Sequence, residues 1–366
     1  MHVGALCRHH LGDVRVDEPN PQMYDGFVNL TLATLRKRVT DEESAYVLME
    51  ELRWPDGPEC PHCGATKAYF LTPKDTAGRR SGPGAKRSVR RVWKCASCRK
   101  QFSVLTGTIF HGTKVPLVDW LQVMVLMSAS KNGIAAREVE RLIGVTPETA
   151  WFMMHRLREA MRRQGVLAPF SGVVVADETY IGGHKRNKHN SVRNSQTPVR
   201  VVPGTHPHND GPHTGKTTVL SLIDADTGEV RSKVIPDVTG ATLRKAIAEQ
   251  ADMPNTELYT DEALGYTAFA SEMAAHKTVN HAQDEYVRRE KDGTVVTTNM
   301  AEGYFSQLKR SLDGTFHHVS REHLQRYLDE FDFRYTTRQL SDAQRLQKIA
   351  NGAEGRRLTY KRVIAK

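Results

Sequence analysis

The chain has 366 residues, with 52 Lys and Arg against 42 Asp and Glu, a formal charge of +10 and a pI near 9.3. That length exceeds one ordinary domain, and the positive excess points to a polyanionic partner, nucleic acid or an anionic membrane surface. No run of about 18 apolar residues occurs and residues 1–10 lack a signal-peptide pattern, so the chain reads as cytosolic, without a membrane partner.

Residues 1–55 read as a lead-in with two short helices, over Phe27–Leu35 and Glu43–Leu52. Residues 56–112 carry two cysteine pairs, many Gly and Pro, and a basic stretch, the composition of a small metal-held module. Over 113–168 the periodicity predicts helices at Leu117–Ala129, Ala135–Ile143 and Thr146–Arg163. Thr146, Pro147 and Glu148 give the last of these a strong start signal. From residue 169 the pattern turns to strands: Val173–Ala176, then Thr217–Asp224 and Glu229–Pro236 as a hairpin. Asp224 and Asp226 read as residues of its turn. A helix at Thr242–Gln250, a strand at Leu258–Thr260, a helix at Tyr266–Ala275 and a strand at Lys277–Tyr286 follow. Helices at Thr298–Leu312 and Glu322–Tyr335 close a domain at 340, leaving 341–366 as a tail. Residues 184–216, with six Lys or Arg, five His and four Pro, read as a flexible surface insertion. The fold class is therefore multidomain: a metal ribbon, a helical domain, and an α/β domain whose mixed sheet is covered by helices.

Five cysteines are present, and four form the pairs Cys60-Pro-His-Cys63 and Cys95-Ala-Ser-Cys98. Two C-x-x-C turns can give four thiolates to one tetrahedral Zn²⁺, a closed shell that organises structure and leaves no open position for chemistry. Redox use of the pairs is the weaker reading, and Cys7 receives no role. Ala135–Arg163 has the helix-turn-helix form. Ala150, Met154, Leu157 and Met161 recur as its buried stripe, which leaves His155, Arg156, Arg158, Arg162 and Arg163 for solvent or phosphate and Glu148 and Thr149 near the helix start for base contacts.

Asp177 closes the apolar run Val173–Ala176, and Asp261 closes Leu258–Thr260 in the same manner. Paired at neighbouring strand ends, such carboxylates suit a hard-oxygen site for Mg²⁺ or Mn²⁺. Glu302 lies early in a helix whose apolar stripe is Ala301, Phe305, Leu308 and Leu312. Lys309 falls two turns later on the same side, so a metal-holding carboxylate aligns with a phosphate-holding ammonium. Three carboxylates are a sensible minimum for the two ions of an in-line displacement at phosphorus. Glu178 and Glu262, on opposite strand faces to their neighbours, rank lower.

From Phe27 to Arg338 the chain resembles the bacterial zinc-ribbon insertion-sequence transposases of the D-D-E class, whose catalytic domain is ribonuclease-H-like. The resemblance rests on Arg53-Trp54 before Cys60-Pro-x-Cys63, Thr106-Gly-Thr-x-Phe110, Asp177-Glu-Thr-Tyr-Ile-Gly-Gly183, Asp261-Glu262, Val279-Asn-His281, Asn299-x-x-Glu302, Leu308-Lys-Arg310 and Glu330-Phe-x-Phe-Arg334, all in family order. It implies that Asp177, Asp261 and Glu302 are the triad, with Lys309 as the helix lysine, Arg310 beside it on DNA, and Asn299 as a helper. It also implies two catalytic ions, DNA as partner at element ends and target, cleavage followed by joining of the 3′-hydroxyl, a homodimer or higher oligomer on DNA, and a bacterial nucleoid setting. Thr297 stands where relatives carry His, and Thr336-Thr337 where Asn is expected. A DNA-binding regulator without chemistry and a nuclease that cuts without joining are the rival expectations.

Overall fold

The computed structural model describes residues 30–72, 91–163, 168–182, 216–280 and 287–364. Cys7, the first residues of the Phe27–Leu35 helix, His281 and all but the last residue of the 184–216 insertion lie outside the described residues. No helix among the described residues is long and apolar enough to cross a membrane.

Helices α1 (Leu32–Arg38) and α2 (Glu42–Arg53) come first. Each starts on a side-chain cap: Thr31 accepts the N–H of Thr34, and Asp41 forms a reciprocal capping box with Ser44. Strands β1 (Ala68–Phe70), β2 (Trp93–Cys95) and β3 (Gln101–Phe102) then form an antiparallel sheet in the order β1-β2-β3. Trp54, at the end of α2, meets Trp93 and Phe102 edge-on, and Glu50 accepts from Arg91 Nε and Trp93 Nε1 at 2.9 Å each. These contacts fasten the small sheet to α2. Helices α3 (Leu117–Ala129), α4 (Ala136–Ile143) and α5 (Pro147–Met161) match the sequence reading closely. Thr146 caps α5, and Gly144 ends α4 at φ 77°, where a Cβ would be strained.

The larger sheet has five strands: β4 (Phe170–Ile181), β5 (Thr217–Asp224), β6 (Val230–Ile235), β7 (Ala251–Thr260) and β8 (Ala275–Thr278), in the order β6-β5-β4-β7-β8. β6–β5 and β5–β4 pair antiparallel, whereas β4–β7 and β7–β8 pair in parallel. Helix α6 (Gly240–Ala248) leads from β6 to β7, and α7 (Leu264–Thr267) from β7 towards β8. A hairpin of β9 (Val287–Arg289) and β10 (Val295–Thr297) precedes α8 (Asn299–Ser311) and its π-helical continuation Leu312–Phe316. Helices α9 (Arg321–Thr336), α10 (Asp342–Gly352) and α11 (Tyr360–Ile364) follow. The mixed sheet covered by helices is ribonuclease-H-like, as expected.

Five points of the sequence reading need correction in the fold. Asp177 lies inside β4, paired with Ser221, because the antiparallel partner β5 holds the strand to Ile181. The helix expected at Tyr266–Ala275 shortens to α7 and a 3-10 turn. The strand expected from Lys277 begins at Ala275 and ends at Thr278, and the β9–β10 hairpin was not anticipated. Finally, residues beyond 340 fold into α10 and α11.

Strand alternation sorts the sheet into two faces. Val175, Val219, Ile223, Val230 and Tyr259 face α8 and α9, while Val174, Ala176, Leu220, Leu222 and Leu258 face α6 and α7. At the β6 edge, the N–H groups of Val230, Ser232 and Val234 would lack strand partners. Thr336 Oγ1, Asp332 Oδ2 and Gln325 Oε1 of α9 accept them at 3.1, 2.7 and 3.0 Å, so the helix seals the edge. Thr336 thus fills, with a hydroxyl oxygen, the place where the resemblance led us to expect Asn.

A separate core joins α1 to α5 with Ala343, Leu346 and Ile349 of α10. Helix α5 lies at its centre, against α4 on one side and α9 and α10 on others.

Candidate active site and metal centre

The cysteine pairs converge. Cys60 and Cys98 sulfurs stand 3.7 Å apart, Cys63 and Cys95 sulfurs 3.6 Å apart, and all four ligand atoms lie within 4.8 Å of one another. A tetrahedron with arms of about 2.3 Å has edges of about 3.8 Å, so the cluster fits a structural Zn²⁺. Each knuckle is built the same way: Gly64 N–H returns to the Cys60 carbonyl at 2.8 Å and Arg99 N–H to that of Cys95 at 3.1 Å. Both residues adopt left-handed backbone, φ 70° for Gly64 and 60° for Arg99. The backbone N–H of Cys98 donates towards Cys95 Sγ and draws that thiol down to about 6, which favours the thiolate a metal needs.

The carboxylates meet through sheet topology. Parallel pairing of β4 with β7 runs to Val175 opposite Tyr259, and both side chains face α8. Two residues further along each chain stand Asp177 and Asp261, which by alternation keep to that face, level with each other. Helix α8 packs there through Ala301, Tyr304, Phe305 and Leu308, the expected stripe with Tyr304 added, which turns Glu302 to the stripe's border. Loss of water raises the Asp177 carboxyl to about 7. The negative charge of Asp261 adds to this, as does that of Glu302, while the Glu178 N–H and Lys309 act against it. Asp177 therefore lies within electrostatic reach of the other two acids and of the lysine. Among the described residues, no group of three or more His, Cys, Asp or Glu ligands beyond the cysteines closes to 4.8 Å, so the acids are more open than the thiolates.

Lys309 and Arg310 are exposed and, with Ser306, Asp313 and Gly314, line an open groove of about 640 Å³ on the outer side of α8. Glu178 points to the opposite face. Burial raises its carboxyl to about 8, against the pull of the buried Tyr266 hydroxyl that faces it. Asp224 caps the β5–β6 turn by accepting from Asp226 N and Thr227 N.

Helix α5 departs from expectation. Glu148 and Arg162 are exposed and Thr149 half-buried, but His155 and Arg158 are 0% and 1% exposed, and Arg156 is buried too. The apolar stripe accounts for one buried side of α5, and α9 covers the other. Its Glu330, fully buried, accepts from Arg158 Nε at 2.7 Å and Arg334 Nε at 3.0 Å. Burial works to raise Glu330, but the two guanidiniums outweigh it and hold the carboxyl below its usual range. No sequence signal pairs residues 158 and 330.

Residues 169–336 match the model of the ISXO2-like transposase domain, and residues 40–101 that of the transposase zinc-ribbon domain. A protein of Halobacterium salinarum described as an uncharacterized protein in transposable element ISH50 is 25% identical over 303 residues, covering 81% of this chain and 92% of the relative. A solved chain from the structure of a simian T-cell lymphotropic virus intasome in complex with PP2A regulatory subunit B56 gamma aligns at 12% identity and a TM-score of 0.25. That alignment covers 54% of this chain and 63% of the other. Ribbon and sheet together are those of a transposase. Within that class, the chain belongs to the IS1595-type transposases with an N-terminal zinc ribbon.

Proposed function

We propose that Asp177, Asp261 and Glu302 hold two divalent ions, Mg²⁺ or Mn²⁺, and that the protein binds insertion-sequence ends, cuts a DNA strand and joins the freed 3′-hydroxyl to target DNA. The observation that carries this reading is the convergence of three acids from β4, the end of β7 and α8 on one sheet face, with Lys309 two turns along the helix. Three carboxylates turned to one face, one of them raised to about 7 by burial first and by the neighbouring acids after it, suit cations. When bound, such ions lower the barrier to attack at phosphorus and to departure of the leaving oxygen.

Lys309 holds a non-bridging phosphate oxygen and fixes the phosphate against the acids. In cutting, water adds to phosphorus and the bond to the 3′-oxygen breaks, leaving a 3′-hydroxyl and a 5′-phosphate. In joining, that hydroxyl adds to a target phosphorus and a target 3′-hydroxyl departs, one phosphodiester bond breaking for each one made. Arg310 and the exposed Arg162 neutralise flanking phosphates, and Glu148 and Thr149 at the start of α5 reach base edges. Two ends and one target call for a homodimer or higher oligomer on cytoplasmic, nucleoid DNA.

A labelled element end incubated with Mg²⁺ compares wild type with Asp177→Asn. The expected result is cutting and joining by the wild type only. Equal joining by both refutes the triad, cutting without joining makes the protein a nuclease, and binding without cutting makes it a regulator.

A further inference from the structure

Beneath α8 a row of polar side chains crosses the sheet. The register sets Asp177 opposite Ser221 and Ser221 opposite Ser232, so all three project from the face that carries α8. Ser221 and Ser232 hydroxyls lie 2.8 Å apart. Beyond them Asp332 of α9 collects three donors: Ser232 Oγ at 2.6 Å, Ser232 N at 2.7 Å and the Tyr304 hydroxyl at 2.6 Å. Since the Ser232 proton goes to Asp332, the Ser221 hydroxyl is the donor to Ser232. Ser221, Ser232, Tyr304 and Asp332 are 0%, 7%, 1% and 6% exposed.

Tyr304 belongs to α8, two residues after Glu302, and its ring already has ample apolar packing against Phe305 and Tyr335. The hydroxyl adds direction that packing lacks. Apolar burial is non-directional, whereas charge-assisted hydrogen bonds fix direction; one of the three donors on this buried carboxylate comes from α8 and the other two from β6. The anchored point is the same cross-strand row that carries Asp177.

We propose that Tyr304, Asp332 and Ser232 are positioning residues: their buried hydrogen bonds fix the helix bearing Glu302 against the strand bearing Asp177, and so set the spacing of the metal-holding carboxylates. The inference rests on the carboxylate site proposed above. Losing the Tyr304 hydroxyl leaves the fold standing but lets α8 shift, and the acids then grip cations less well. Partners that orient metal ligands typically govern affinity by about 10–100-fold.

The test is calorimetric titration of Mn²⁺ into the full zinc-loaded chain, as wild type, Tyr304→Phe, Ser232→Ala and Asp177→Asn, with the Tm of each. Tyr304→Phe and Ser232→Ala are expected to bind Mn²⁺ at least about tenfold more weakly than wild type while folded and zinc-loaded. Wild-type Mn²⁺ affinity in both, with Asp177→Asn impaired, overturns the positioning role alone, even if their Tm falls. Identical titration of wild type and Asp177→Asn overturns the carboxylate site and this inference with it. If Tyr304→Phe does not fold, Ser232→Ala decides the matter, since its backbone N–H still reaches Asp332.

Discussion

The zinc ribbon and the proposed carboxylate site both call on charged ligands for cations, and they are assembled in opposite ways. The thiolates come in pairs from two tight turns, each closed by its own backbone hydrogen bonds, and only one long-range step, β1 against β2, brings the turns together. The acids come singly from β4, the end of β7 and α8, spread from residue 177 to residue 302; the N–H groups of Glu178 and Ala263 orient Asp177 and Asp261 locally, but only long-range packing brings the three together. A site made of turns needs one long-range pairing and the metal itself to close it. One made of converging elements is only as well placed as the packing between those elements.

Removing a ribbon ligand should give the largest effect. Cys60→Ser is expected to abolish zinc retention, measured by metal analysis of the purified chain, because structural zinc in such modules is worth about 10 kcal/mol or more. Mn²⁺ binding at the acids should survive; its loss would show that the two sites are not separate. Next, Asp177→Asn should slow strand cutting about a thousandfold, roughly 4 kcal/mol of transition-state stabilisation, with zinc content unchanged. Its Tm in chelator should hold or rise, since a crowded like charge has gone. A clear fall in Tm would make Asp177 structural.

The interface between α5 and α9 links the two regions, and it can be broken in two ways. Arg158→Met leaves Glu330 with Arg334 alone and should destabilise the protein by about 3 kcal/mol, read as a drop in Tm of several degrees. No change would mean that the buried pair is replaceable by packing. The smallest effect concerns pH. His155 packs against Trp151 at 4.2 Å, with neither ring nitrogen bonded, and burial, with the charge of Arg158 next, pushes its pKa down to about 2. Below about 6.5 the unfolded chain takes up a proton that the folded chain refuses, so stability falls with pH, approaching about 1.4 kcal/mol per unit. His155→Phe should flatten that slope between pH 6.5 and 5, as followed by thermal melts; an unaltered slope would assign the acid sensitivity elsewhere.

Legibility in the sequence followed locality. The C-x-x-C knuckles, the Thr146-Pro147 start of α5 and the Ala301–Leu312 stripe of α8 depend on neighbours within a turn or two, and each stands where spacing put it. Two misses were local and avoidable: Asp292-Gly293 between Val287 and Val295 is a hairpin signal, and Ser341 with Gln344 is a capping box that announces α10. The others were not avoidable from one strand or helix alone. Asp177 looked like a strand end because the apolar run stops there, although β5 carries the strand onward. Arg158 looked solvated because its carboxylate arrives 172 residues later. The Tyr304–Asp332–Ser232 cluster joins three elements, and no pattern within any one of them announces it.

The closure of the first core by α10 bears on how the chain is made. Ile109 donates its N–H to the Ala353 carbonyl, and Gly352 sits so close to Ala160 that an added Cβ would come within 2.1 Å of its carbonyl oxygen. A ribosome working at about 5–20 residues per second reaches Ala353 roughly 10–40 s after it has passed Met161. For that interval α3 to α5 have an apolar side uncovered, and every strand of the later sheet is made before α10 arrives. The core whose helices are made first is therefore the one whose closing helix is made last.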